Sequence, residues 1–180
     1  MFRKQTARDN MEDITIRIKH FNDLTNLELY EILRARQAVF VVEQQCPYQD
    51  IDGYDIDSEH VFIQRRDGSV AACLRLYMKK DEQATVQLGR VVTTERGCGL
   101  GGKILHAGVM RAREYQNAEG IYLEAQQYAI GYYQKEGFEV VSEPFLEDGI
   151  PHVQMRLHFQ KENAECDLGE ENYGEKEKKQ

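Results

Sequence analysis

The sequence predicts an α+β domain: a mixed, mostly antiparallel sheet flanked by helices. Three observations lead there. Consecutive apolar runs alternate with period two and are joined by a tight-turn signal, helical periodicities are interposed late in the chain, and a glycine-rich loop separates a strand pattern from a helix pattern. Taken in order, Ile14, Ile16 and Ile18 alternate as a strand. Thr25 and Glu28 then have the spacing of a capping box, in which hydroxyl and carboxylate each satisfy a backbone N–H of the first turn. They open a helix with an expected inner face of Leu29, Ile32, Leu33 and Arg36. Val61 to Arg65 and Val70 to Met78 are strands joined by Asp67-Gly68, two residues that tolerate the positive φ of a hairpin turn. Val86 to Thr93 adds the next antiparallel strand. Beyond the glycine loop a helix of about four turns runs to Asn117, and Ile121 to Glu124 forms a short strand. A short helix carrying Tyr132 and Tyr133 follows. Phe138 to Val141 and Val153 to Phe159 complete the sheet, the latter with Val153, Met155, Leu157 and Phe159 on one face.

Composition sets limits on function. A chain of 180 residues suits one compact domain, here expected over 14–160, with a flexible extension at 1–13 and a flexible charged tail at 161–180. The formal charge of −8 argues against nucleic-acid and anionic-membrane partners and favours cationic small substrates. Cys46, Cys73, Cys98 and Cys166 form no CxxC pair and no metal-ligand spacing, so free thiols in a reducing, cytoplasmic setting are expected. No run is apolar enough to target or span a bilayer. The aspartate-rich stretch from Cys46 to His60 lacks the EF-hand glycine and glutamate, having Asp55 and Val61 at those places, and no metal is expected.

The loop Arg96-Gly97-Cys98-Gly99-Leu100-Gly101-Gly102 carries the chemistry. Glycines let a ligand approach the backbone, and the free N–H groups at the start of the next helix favour anionic oxygens. A P-loop is excluded, because Ile104 rather than a hydroxyl residue follows Lys103. Gly97-x-Gly99-x-x-Gly102, with Glu124 downstream, fits a dinucleotide fingerprint formally. The chain that follows is too short for the remaining units of a doubly wound sheet. A third pattern, Arg-x-x-Gly-x-Gly, is met by Arg96, Gly99 and Gly101, and Tyr132-Tyr133-Gln134-Lys135-Glu136-Gly137-Phe138 lies downstream.

On these two landmarks the chain resembles the GNAT superfamily of N-acetyltransferases. Arg36 with Val39 to Gln44, Cys46-Pro47-Tyr48, Asp50 to Gly53 and Glu147 to His152 are similar to the ElaA-like branch, so that the likeness covers about Ile14 to Leu157. The resemblance implies the GNAT fold and acetyl-CoA as co-substrate. The pantetheine arm would pair with the main chain of Val91, Val92 and Thr93. Arg96, Gly97, Cys98, Gly99, Leu100, Gly101 and Gly102 would hold the pyrophosphate. It also implies direct transfer to a primary amine in a ternary complex, with a small molecule or peptide as acceptor, and is compatible with a homodimer.

Acyl transfer needs an acid for the leaving thiolate and a base for the amine. Tyr133 is the expected acid, since a phenol is protonated at neutral pH. Glu43 is the first candidate base, with Glu124, His60 and His152 behind it. Arg36, Asp52 and His152 are expected to meet the acceptor, under an acidic loop formed by Cys46 to His60. A nucleotide-binding oxidoreductase and a non-catalytic acyl-CoA sensor are the competing functions.

Overall fold

A computed structural model describes residues 14–82 and 84–160. The expectations for 1–13, 161–180 and Cys166 fall outside the described residues. One eight-stranded sheet runs through the domain in the order β1 (Ile14–His20), β2 (Glu59–Arg65), β3 (Val70–Met78), β4 (Thr85–Thr93), β5 (Gly120–Gln126), β8 (Ile150–His158), β6 (Glu139–Val140), with β7 (Phe145–Glu147) also paired to β8. Every pairing is antiparallel except β4 with β5. That single parallel pair excludes the doubly wound sheet of a dinucleotide-binding domain.

Helix α2 (Leu100–Arg113) covers one face of the sheet. Its Leu100, Ile104, Leu105, Val109 and Ala112 are buried against Leu74, Leu76, Val86, Leu88, Ile121 and Leu123. Helix α1 (Asn26–Arg36) covers part of the other face, where Ile32 and Ala35 meet Phe62, Cys73 and Val92. The α1 capping box forms as the spacing predicts: Glu28 N donates to Thr25 Oγ1 at 3.2 Å, and Thr25 N donates to Glu28 Oε2 at 2.9 Å. The buried stripe is rotated from the expected one, however. Glu28, Glu31, Ile32, Ala35 and Arg36 face inward while Leu29 and Leu33 are only half-buried, because the small Ala35 allows the helix close to the sheet. A π-helical turn, Gln37–Glu43, continues α1 and swings the chain toward the loop that follows.

Two further boundaries differ. Helix α2 ends at Arg113 rather than Asn117, which adopts a left-handed φ of 65° in the turn before β5. Strand β7 is too short to show alternation, yet its turn, Asp148-Gly149, carries the same hairpin signal as Asp67-Gly68 and has φ values of 49° and 79°. Among the described residues no helix is long and apolar enough to cross a membrane.

The feature that creates a site lies between β4 and β5. They pair only over Thr85–Gln87 and Gly120–Tyr122 and then part. On its other side β4 carries a bulge: Cys73 pairs with Val92 but Arg75 with Gly89, so β4 has one residue more than β3 here. Arg90, in the bulge, takes a left-handed φ of 55°.

Candidate active site

The parted strands lead to the start of α2. Gly99, with φ 76°, is its N-cap and contributes no side-chain hydrogen bond, so the first N–H groups of the helix are left to an external acceptor. Gly97 (φ 79°) turns the chain into the loop. A Cβ at Gly102 would meet nothing within 4 Å, whereas one at Gly101 would come within 3.2 Å of the Tyr132 ring. The Tyr132 hydroxyl donates to the Gly101 carbonyl at 2.7 Å, so α3 (Ile130–Gln134) buttresses the loop from behind. The arrangement fits a diphosphate in front: an uncapped helix end, open space over Gly102, and a free β4 edge leading away. Leu100 is buried in the core, and Val91, Val92 and Thr93 bring their main chain along that edge. Cys98 Sγ donates to Glu95 O at 3.6 Å, and the residue is a backbone spacer. Arg96 is exposed and ion-paired to Glu43, tying the loop to the end of the π-helical turn.

Tyr133 packs in the main core, its ring edge-on to Tyr132 (4.9 Å) and Phe138 (6.0 Å). Burial raises its proton affinity above that of a free phenol, so it stays protonated over the whole neutral range.

The acidic loop behaves differently from expectation. Arg36, 1% exposed, donates from Nε to Asp50 Oδ2 (2.9 Å), from Nη1 to Asp55 Oδ1 (2.7 Å) and from Nη2 to Asp50 O (2.9 Å). It therefore clamps the loop onto α1 and has no face left for an acceptor. Asp52 is likewise held, by two 2.7 Å bonds from Arg75 and one of 2.7 Å from Arg90. Burial pushes its carboxyl up, but Arg75 and Arg90 hold it down at about 2. Three arginines thus neutralise Asp50, Asp52 and Asp55, and Arg36 and Asp52, both expected to meet the acceptor, are engaged in anchoring the loop. Arg75 and Arg90 are the residues that sequence reasoning missed. Nothing local marks them, since their partners lie 20 to 40 positions away. His60, 1% exposed, meets Asp55 O at 3.2 Å and is too deep to serve as a base.

A polar face remains beside this clamp. Tyr122, Glu124 and Gln126 of β5 alternate with the core-facing Ile121, Leu123 and Ala125, and so point away from α2. His152 lies opposite Gln126, and Phe145 opposite His152. Gln126 Nε2 donates to Gln44 Oε1 at 3.2 Å, closing this face against the end of the π-helical turn. Glu124 accepts from the Tyr122 hydroxyl at 2.8 Å and is exposed. His152 is buried, with Nδ1 2.8 Å from Ile150 O and Nε2 3.7 Å from Glu147. Burial, then the field of Glu124, raises the proton affinity of Glu147. The Asp148-Gly149 turn was the available signal for this hairpin and its Glu147.

A parallel pair that parts over a helix end with free N–H groups, beside a polar acceptor face, defines the scaffold of an acyl-CoA-dependent N-acyltransferase. The comparisons agree. Residues 23–159 match the family described as "Acetyltransferase (GNAT) domain", and the chain belongs to that family. It is 39% identical to a UPF0039 protein of Schizosaccharomyces pombe over 152 residues, covering 83% of this chain and all of that protein. The crystal structure of Escherichia coli ElaA superposes with a TM-score of 0.74 at 36% identity, over 79% of this chain and 98% of ElaA. An acyl-CoA N-acyltransferase from Pseudomonas aeruginosa matches with a TM-score of 0.74 at 41% identity, again over 79% and 98%. The chain is thus an ElaA-like GNAT acetyltransferase, and the oxidoreductase alternative falls.

Proposed function

We propose that the protein transfers an acetyl group from acetyl-CoA directly to a primary amine in a ternary complex. The observation that carries this reading is the β4 edge, unpaired by β5 beyond Gln87 and ending at the uncapped start of α2. Acetyl-CoA supplies an activated thioester: the amine's C–N bond forms as the C–S bond breaks. Main-chain groups of Val91 to Thr93 align the arm of the co-substrate as an added strand. The N–H groups from Gly97 to Gly102 hold its diphosphate, with Tyr132 fixing the loop's shape. Tyr133 gives its phenolic proton to the departing sulfur.

Of the candidate bases, Glu124 has the better placement. It lies two residues beyond the last paired position of β5, on the wall of the gap, and makes no ion pair among the described residues. Glu43 is engaged by Arg96. The free thiols of Cys46 and Cys73 suit a reducing compartment, and we place the reaction in the cytoplasm.

Calorimetric titration with acetyl-CoA, with NADH in parallel, tests the reading. Saturable heat with acetyl-CoA alone, followed by amine-dependent thiol release, is the expected result. Binding of acetyl-CoA without thiol release from any amine would make the protein a sensor, and no binding at all would end the proposal.

A further inference from the structure

Charge on the acceptor side is unevenly settled. Asp50, Asp52 and Asp55 are matched one for one by Arg36, Arg75 and Arg90. Glu124 and Glu147 are not. Glu124 holds only the neutral Tyr122 hydroxyl, and the nearest basic group to Glu147 is His152, at 3.7 Å. The two carboxylates project onto one face from strands on either side of β8, and the field of Glu124 adds to the burial that raises the proton affinity of Glu147.

His152 supplies an independent indication. A carbonyl oxygen only accepts, so the 2.8 Å contact between Nδ1 and Ile150 O requires the hydrogen on Nδ1. Nε2, on a side chain 8% exposed, then faces the Glu147 carboxylate at 3.7 Å. At that separation the two groups make no hydrogen bond with each other. They form a cradle for a donor that carries several hydrogens, and the Phe145 ring, 6.2 Å from the imidazole, walls it on one side. An alkylammonium has three N–H donors and a positive charge, and its methylene chain suits the aromatic wall.

We propose that the acceptor is a molecule with two cationic nitrogens, a diamine or longer polyamine. One nitrogen, freed of its proton toward Glu124, is acetylated, and the other stays charged between Glu147, His152 Nε2 and the field of Glu124. This deepens the transferase reading and rests on it. The site selects by the second charge, so a neutral or anionic group at the far end of the acceptor is refused by the same carboxylates that hold an ammonium.

The test compares thiol release from acetyl-CoA with 1,4-diaminobutane, 1-aminobutane and 4-aminobutanoate. The diamine is expected to exceed the monoamine in kcat/KM by about tenfold or more, mostly through KM, with the amino acid slower still. Glu147→Gln, on an exposed hairpin, is expected to bring the diamine's advantage within about twofold. Equal rates with diamine and monoamine, or an advantage that survives in Glu147→Gln, would overturn the proposal. A second measurement needs no acetyl-CoA: the imidazole nitrogen resonances of His152, followed during titration with 1,4-diaminobutane and with 1,4-butanediol. Nε2 is expected to respond to the diamine only. A shifted Nε2 without thiol release from any amine would keep the cation site and remove the transferase reading. Thiol release without preference, and with Nε2 unmoved, would do the reverse.

Discussion

Tyr132 and Tyr133 are adjacent and differently placed. The Tyr132 phenol donates to the Gly101 carbonyl and holds the glycine loop, whereas the Tyr133 ring is locked between Tyr132 and Phe138 with its proton held firmly by burial. A buried phenol is a weak acid in the resting state and becomes useful when a thiolate forms beside it, because the charge then has no water to stabilise it. Tyr133→Phe is expected to lower kcat by about 100-fold while acetyl-CoA binding and melting temperature stay near wild type. Steady-state thiol release and calorimetry read this directly. An unchanged kcat would reduce Tyr133 to packing.

Where the glycine loop enters helix α2, the proposed function and stability pull against each other at one position. Gly102 is in the first turn of α2, and a Cβ there would contact nothing within 4 Å. Gly102→Ala is therefore expected to stabilise the fold by about 0.5–1 kcal/mol through helix propensity, yet to weaken acetyl-CoA binding by placing a methyl group in the space over the helix end. Thermal melting and calorimetry on the same variant decide it, and unchanged affinity would mean that the diphosphate does not approach Gly102. Gly120, at the start of β5, is the opposite case. A Cβ there would lie 2.5 Å from the Leu157 carbonyl oxygen, a backbone atom that cannot rotate aside. This glycine lets β5 lie against β8 at the point where β4 still pairs with it.

Across the whole molecule, the arginine–aspartate clamp makes stability depend on pH in two stages. Burial lowers the proton affinity of His60 below the ordinary 6.5. The unfolded chain then binds more protons as pH falls past 6.5, and the stability that neutral His60 contributes, complete above that value, is lost below it. Asp52 follows at lower pH. Its folded value of about 2 against an ordinary 3.8 gives stability that is complete above 3.8 and is lost as pH falls toward 2. Urea midpoints between pH 7.5 and 5 are expected to decline, and His60→Gln to flatten that decline. The same slope in the variant would place the first stage elsewhere.

What the sequence determined by itself is what neighbouring residues decide together. The Thr25–Glu28 box, the Asp67-Gly68 turn, the Arg96 to Gly102 loop and the tyrosine segment each act within about two helical turns, and each forms as its local chemistry requires, whereas β3 is buried on both faces and Ile16 and Ile18 of β1 are exposed. The tertiary structure decided which charges meet. Arg36, Arg75 and Arg90 reach their aspartates across 14 to 40 positions, and only the sheet order places them within hydrogen-bond distance. It also decided the parting of β4 from β5 and the facing of Glu124, Glu147 and His152, because a strand's polar face acquires a role only from the strand laid beside it. The aspartates of the Cys46 to His60 loop looked ready for an acceptor in the sequence and are occupied in the fold, since burial without a partner would have made them the costlier arrangement.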